Sequence, residues 1–214
     1  MSDKIYTIKK KGEIVERIAN NGPDFSIPSE EWDVIKDVPT MLSDPEKRIL
    51  WHLAKTHIPP QHGLGIINLG HANGGSTHVM GLAMLRFKKH GIIRSVDFFR
   101  DTTIETARSS LVQYGLNRFI ELYRGLTWEY GDLWCKEEKY ADVIFIDAGH
   151  DYESVRKDWL VFSQLITDKD SVVAFHDTNQ VHTDRVIQEY VTPSGWWKQT
   201  YHVDRIKVFQ WIKS

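Results

Sequence analysis

The chain has 214 residues, enough for one domain with a full core and a short appended segment. Hydrophobic residues make up 41% and charged residues 26%, and the formal net charge of -2 offers no broad basic face to nucleic acid. The single cysteine, Cys135, has no disulfide partner, no apolar run reaches the length of a membrane span and the N-terminal residues lack the apolar centre of a signal peptide, so a cytoplasmic location is expected.

Residues 1–42 read as an N-terminal extension, an arm or a lid on the domain that follows. Ile5–Ile8 suits a short strand and Glu13–Ala19 one or two helical turns, while Asn20, Asn21, Gly22 and Pro23 break the pattern. Residues 43–214 form the main domain. Ser43 and Glu46 have capping-box spacing with Pro45 in the first turn, Ile49, Leu50, Leu53 and Ala54 mark an apolar helical face, and Pro59 and Pro60 stop it.

Gly65–Thr77 is the stretch on which the domain turns. Ile66, Ile67 and Leu69 make a short apolar strand, Gly70, Gly74 and Gly75 break it, and Ser76 and Thr77 lead into a helix. Glycine lets backbone approach a ligand, and the following helix aims unpaired N–H groups at the turn. A phosphate-gripping loop needs Lys after its last glycine and a dinucleotide loop needs G-x-G-x-x-G. Neither is present, whereas G-x-x-x-G fits Gly70 and Gly74 and suits an adenosine ligand without a pyrophosphate. A plain strand-to-helix turn remains the alternative.

The pattern then alternates. A helix over 77–90 ends on Lys88, Lys89, His90 and Gly91, and a strand ends near Asp97. A helix over 104–114 and a strand ending at Gly125 follow. Val143–Ile146, uninterrupted and apolar, reads as a strand buried on both faces. A helix over 152–166, a strand through Phe175, a helix over 184–190 and two closely spaced terminal strands complete the chain. Such alternation predicts an α/β fold, a Rossmann-like doubly wound sheet of mostly parallel strands, with the terminal pair antiparallel.

Ligands of such sheets bind outside the carboxyl ends of the strands, where Gly70, Asp97, Gly125, Asp147 and Asp177 stand. Asp97 can accept two ribose hydroxyls or cap a local turn. Asp147 and Asp177 end adjacent strands, so with His150, His176 or Asn179 they can hold Mg²⁺ or another hard cation, or simply cap turns. His150 or His176 can act as a general base, or each can be a hydrogen-bonded structural histidine. Trp128 and Tyr130 can stack on adenine or pack in the core.

Three segments together resemble class I S-adenosylmethionine-dependent methyltransferases, within them the small-molecule O-methyltransferase subgroup of catechol-type and macrolide-sugar-type enzymes. They are NLGHANGGST over 68–77, DVIFIDAGHDYESVRKDW over 142–159 and VVAFHDT over 172–178. The resemblance implies a seven-stranded sheet with an antiparallel C-terminal strand, and S-adenosylmethionine held by Asn68, Gly70, Gly74, Ser76, Thr77, Asp97, Gly125 and Asp147. It further implies catalysis at Asp147 and His150, with His176 the other general-base candidate, a divalent cation at Asp147 and Asp177, and O-methylation of a small hydroxylated acceptor such as a sugar or glycan precursor. Asn68 departs from the acidic residue usual there, and Gly125–Thr127 lacks the usual acidic follower. A cofactor-binding protein without catalysis and a nicotinamide-dependent oxidoreductase stay open as alternatives, as does homo-oligomerisation.

Overall fold

In this computed structural model the described residues are 5–10, 13–19, 27–59, 63–100, 102–166 and 170–213. Strands β1 (Ile5–Lys10) and β2 (Glu13–Ala19) form an antiparallel hairpin. The helical turns expected at Glu13–Ala19 are therefore a strand: Ile14, Val15 and Ile18 are β-branched, and the ladder to β1 supplies the hydrogen bonds a two-turn helix would lack. The breaker cluster at 20–23, like Pro60, lies outside the described residues.

Helices α1 (Ser29–Ile35) and α2 (Asp44–His57) precede the sheet. The capping box on α2 forms as its spacing predicts, with the Ser43 hydroxyl accepting from Glu46 N–H and the Glu46 carboxylate accepting from Ser43 N–H. Ile35, Val38 and Leu42 join the same apolar cluster as Ile49, Leu50 and Trp51, so residues 27–42 pack against the domain. Glu31 fastens α1 to α2 by accepting from Trp51 Nε1 at 2.7 Å and from Lys55 Nζ at 2.9 Å.

The main sheet has seven strands. In chain order these are β3 (Gly65–Leu69), β4 (Ile92–Asp97), β5 (Ile120–Arg124), β6 (Val143–Ile146), β7 (Val172–Phe175), β8 (Trp197–Val203) and β9 (Ile206–Trp211). Their spatial order is β5-β4-β3-β6-β7-β9-β8, all parallel except β9, which runs antiparallel to both neighbours. Helices α3 (Gly75–Arg86), α4 (Ile104–Gln113), α5 (Thr127–Lys136), α6 (Tyr152–Phe162) and α7 (Val181–Val186) lie between the strands in sequence. Side chains alternate across the sheet: Ile66, Ile93 and Phe145 pack with α2 and α3, whereas Ile67, Ile144 and Phe175 pack with residues of α5, α6 and α7. This is the doubly wound architecture read from the alternation.

The chain leaves β3 toward β4 and β5 on one side and takes up β6 and β7 on the other, so the strand order reverses between β3 and β6. That reversal opens a crevice at the carboxyl ends. The ladder brings the tips level: Gly70 N–H donates to Val96 O, Asp147 N–H to Leu69 O and His176 N–H to Ile146 O. Among the described residues, no helix is long and apolar enough to cross a membrane.

Candidate active site

Gly70 and Asp147 meet where the strand order reverses. Gly70 adopts φ +93°, and a Cβ on it would lie 2.1 Å from the Asp147 carbonyl oxygen, so only glycine fits there. Beyond it opens a cleft of about 380 Å³. Its floor carries Gly70, Ser76, Asp97, Asp147, His150, His176 and Asp177, so the three strand-end aspartates share one hollow. Thr40, Met41 and Leu42 border it from the segment before α2, and Arg205 borders it from the β8–β9 turn. A Cβ on Gly75 would lie 2.0 Å from Thr40 Oγ1, so that segment rests directly on the glycine loop.

Beneath the loop is a buried polar network. Asn68, fully enclosed, donates through Nδ2 toward Gly70 O, Thr77 Oγ1 and Ser95 Oγ at 3.0–3.1 Å, and its Oδ1 accepts from Ser76 Oγ. The residue expected to touch the cofactor's amino end is thus occupied in bracing the loop, and an acidic side chain could not donate to Gly70 O. His71 Nδ1 joins the network at Thr77 Oγ1 and Ser95 Oγ, both at 3.1 Å. Burial, with His78 adding, brings the His71 imidazole down to about 4, so it is neutral near pH 7. Asp97 also serves the loop: Oδ2 accepts from His71 N–H at 2.7 Å and Ala72 N–H at 3.0 Å, and Oδ1 accepts from Phe99 N–H. About one lone pair of its four is left for a ribose hydroxyl.

The other half of the cleft is a cluster of charges. His176, 8% exposed, donates from Nδ1 to Asp147 Oδ1 at 2.9 Å and from Nε2 to Glu46 Oε1 at 3.2 Å. Both acceptors are carboxylates, so the ring carries both protons. Burial works against that cation, but the bonds from Asp147 and Glu46 outweigh it and lift the imidazole to about 10. Burial likewise opposes the charge on Glu46, yet His176, Arg205 and the Ser43 N–H bring its carboxyl down to about 2. Arg205 Nη1 reaches Asp177 Oδ1 at 3.2 Å, and Gln180 Nε2 reaches Asp177 Oδ2 at 2.8 Å. His150, with a half-exposed side chain, turns Nδ1 toward Asp177 Oδ2 at 3.5 Å. Ligand atoms of Asp147, His150 and Asp177 all lie within 4.8 Å of one another, a set of two carboxylates and one imidazole suited to a hard cation.

Other expected contacts fall elsewhere. Gly125 does not border the cleft, Thr77 belongs to the buried network, and Gly74 holds the loop with φ +87° while its carbonyl accepts from His78. Tyr130 packs against Tyr123 and Trp134, and Lys157 covers the Trp128 ring at 4.7 Å. Sequence reasoning missed Glu46 as a site residue because its capping role already accounted for it. Arg205 was missed because nothing local marks a turn arginine as a partner for residues 28 and 159 positions away.

Comparison with known proteins agrees with this fold. A family model described as a methyltransferase domain matches residues 67–178, from β3 through the tip of β7. No curated protein sequence matches the chain. Among solved structures, the chain is similar to CalS11, a TDP-rhamnose 3'-O-methyltransferase of calicheamicin biosynthesis, at 14% identity and a TM-score of 0.63, covering 89% of this chain and 88% of that one. It is similar to the O-methyltransferase TomG from Streptomyces achromogenes, solved with SAM, at 16% identity and a TM-score of 0.62, covering 86% and 89%. The O-methyltransferase from Bacillus cereus, solved with SAH, is 18% identical with a TM-score of 0.59, covering 86% and 92%. At such identities these likenesses speak for the fold, while the family match spans more than half of the chain, and the protein belongs to the methyltransferase-domain family.

Proposed function

We propose that the protein transfers the methyl group of S-adenosylmethionine to a hydroxyl of a small polyhydroxylated acceptor, such as a sugar or glycan precursor. The observation that carries this reading is the single cleft in which the Gly70 loop, Asp97, Asp147 and Asp177 converge at the strand-order reversal. The structural neighbours act as O-methyltransferases by their names, and two of them were solved with SAM or SAH. The loop gives backbone N–H groups and close approach to the ligand, and Asp97 offers its remaining lone pair to the ribose.

Methyl transfer is an in-line displacement: the acceptor oxygen forms a bond to carbon as the sulfur–carbon bond breaks, and the sulfonium leaves as a neutral thioether. The protein's first task is alignment, which is worth several kcal/mol, up to roughly 7–11 kcal/mol in well-oriented cases. Its second task is to receive the hydroxyl proton. His150 suits this, since its imidazole is open to the cleft and its Nδ1 faces Asp177. His176 does not, because both nitrogens are held by carboxylates; its charge orients Asp147 instead.

The donor set also fits a divalent cation, which Asp147 and Asp177 would hold through the oxygens not taken by His176 and Arg205. Such a cation, when bound, lowers the pKa of an acceptor hydroxyl. The reading is tested by calorimetric titration with S-adenosylhomocysteine, followed by radiolabelled methyl transfer to a panel of catechols and sugars. Binding with turnover of any hydroxylated acceptor supports it. Binding of NAD in place of the adenosyl ligand would overturn it.

A further inference from the structure

Glu46 begins a helix some distance in sequence from every strand tip, yet it reaches the centre of the site. It is fully buried. Its Oε2 accepts from Ser43 N–H at 2.9 Å and from Arg205 Nη2 at 2.8 Å. Its Oε1 accepts from Arg205 Nε at 3.0 Å, Arg205 N–H at 3.3 Å and His176 Nε2 at 3.2 Å. A capping box asks for one carboxylate oxygen and is satisfied at the surface. Here the same side chain is taken out of water and given two cationic partners, an arrangement that needs near-complete pairing to be tolerated.

Those partners reach the carboxylates of the cleft: His176 meets Asp147 at 2.9 Å and lies 3.4 Å from Asp177 Oδ1, and Arg205 meets Asp177 at 3.2 Å. With an acceptor at each ring nitrogen, the imidazole has one favourable orientation, because a flip sets C–H edges against both carboxylates. Arg205 Nη2 also reaches Met41 O at 3.3 Å, and the Ser43 hydroxyl donates to Asp204 Oδ2 at 2.6 Å, so the segment bordering the cleft is tied to the same joint.

We propose that Glu46 is a positioning residue for methyl transfer: by clamping the His176 ring and the Arg205 guanidinium it fixes the carboxylates of Asp147 and Asp177 on the acceptor side of the cleft. This rests on the methyltransferase reading of the site. Glu46 touches neither reacting atom and acts only through its two partners.

The test is the Glu46→Gln variant, whose one amide oxygen cannot accept both from His176 Nε2 and Arg205 Nε, as Oε1 does, and from Ser43 N–H and Arg205 Nη2, as Oε2 does. Crystals with S-adenosylhomocysteine should show the His176–Asp147 contact opened beyond about 3.5 Å, outside hydrogen-bond range. Calorimetry should give an S-adenosylhomocysteine Kd within about threefold of wild type. On any acceptor that the wild type turns over, kcat should fall about 10- to 100-fold with little change in KM, as for other orienting partners. A purely structural role would lower thermal stability and leave the ring in place. Should Glu46→Gln not fold, the paired Glu46→Leu/Arg205→Met change removes both buried charges together and serves the same measurements. Retention of the His176–Asp147 contact at its original length in a folded variant overturns the proposal. Failure of the wild type to bind S-adenosylhomocysteine would instead strike the functional reading, and the ring position in ligand-free crystals would still decide the role of Glu46.

Discussion

Asp158 on α6 is a carboxylate with little to hold it. It is fully buried, Oδ1 accepts from the Thr127 hydroxyl, and Oδ2 is without a hydrogen-bond partner among the described residues. Burial lifts its carboxyl to about 7, with Asp151 adding and Thr127 opposing. The folded-state value lies above the unfolded one, so ionisation costs stability. Nothing is lost below about pH 3.8, the loss grows as pH rises, and it is complete above about pH 7. A shift of about three units corresponds to about 4 kcal/mol, of which somewhat more than half falls between pH 5 and pH 8. Asp158→Asn keeps the acceptor for Thr127 and removes the ionisation. Urea unfolding of both proteins should therefore show the variant gaining about 2 to 3 kcal/mol on wild type between pH 5 and pH 8. Other titrating groups cancel in that difference. A stability difference that stays flat from pH 5 to pH 8 would mean that Asp158 ionises elsewhere, and the reasoning from its burial would fall.

Gly70→Ala should abolish S-adenosylhomocysteine binding by calorimetry, because its Cβ would meet the Asp147 carbonyl at 2.1 Å with φ at +93°. Asn68→Asp, which restores the commoner acidic residue, should not tighten that binding; it should cost about 1–3 kcal/mol in a denaturant melt, since a carboxylate cannot donate to Gly70 O, Thr77 Oγ1 or Ser95 Oγ. His150→Gln should cut methyl transfer about 100-fold while leaving S-adenosylhomocysteine affinity within about twofold, as expected for loss of a proton acceptor. If Asp147 and Asp177 hold a divalent cation, EDTA should suppress turnover and added Mg²⁺ restore it; full activity after chelation would remove the cation from the reaction.

Much of this molecule is legible in its sequence because period and punctuation agree. Val143–Ile146 is apolar throughout and lies fully buried, and Ser43 with Glu46 forms the capping box its spacing predicts. Asp97 ends its strand and Asp147 and Asp177 follow just after theirs, and the parallel ladders from β4 through β3 and β6 to β7 bring them to one rim. Less legible is α5. Gly131 sits mid-helix where a breaker would be expected, but a Cβ there would lie 2.5 Å from Val161, so the glycine is set by the close approach of α6. The strand at Glu13–Ala19 escaped because a short segment with mixed polarity takes its identity from a partner strand. The polar roles under the loop escaped for a related reason: Asn68 and Ser95 are neighbours only through the β3–β4 register.

The charges around the cleft carry one further consequence for the reaction. Glu46, Asp147 and Asp177 bring three negative charges, and His176 and Arg205 return two positive ones, all within one hydrogen-bonded cluster. With no cation bound, the three carboxylates outnumber the two cations, and the rim is negative to the extent that Asp147, whose carboxyl burial raises, is ionised. A sulfonium placed against it is attracted, and the attraction strengthens as water is excluded. Transfer of the methyl group leaves a neutral thioether, so the ligand loses that attraction at the moment of reaction, while the loop and ribose contacts stay as they were. Such a rim favours the reactant over the product without any change in shape. On the proposed reading, two fixed cations are compatible with a positively charged cofactor because each is paired with carboxylates and holds their geometry.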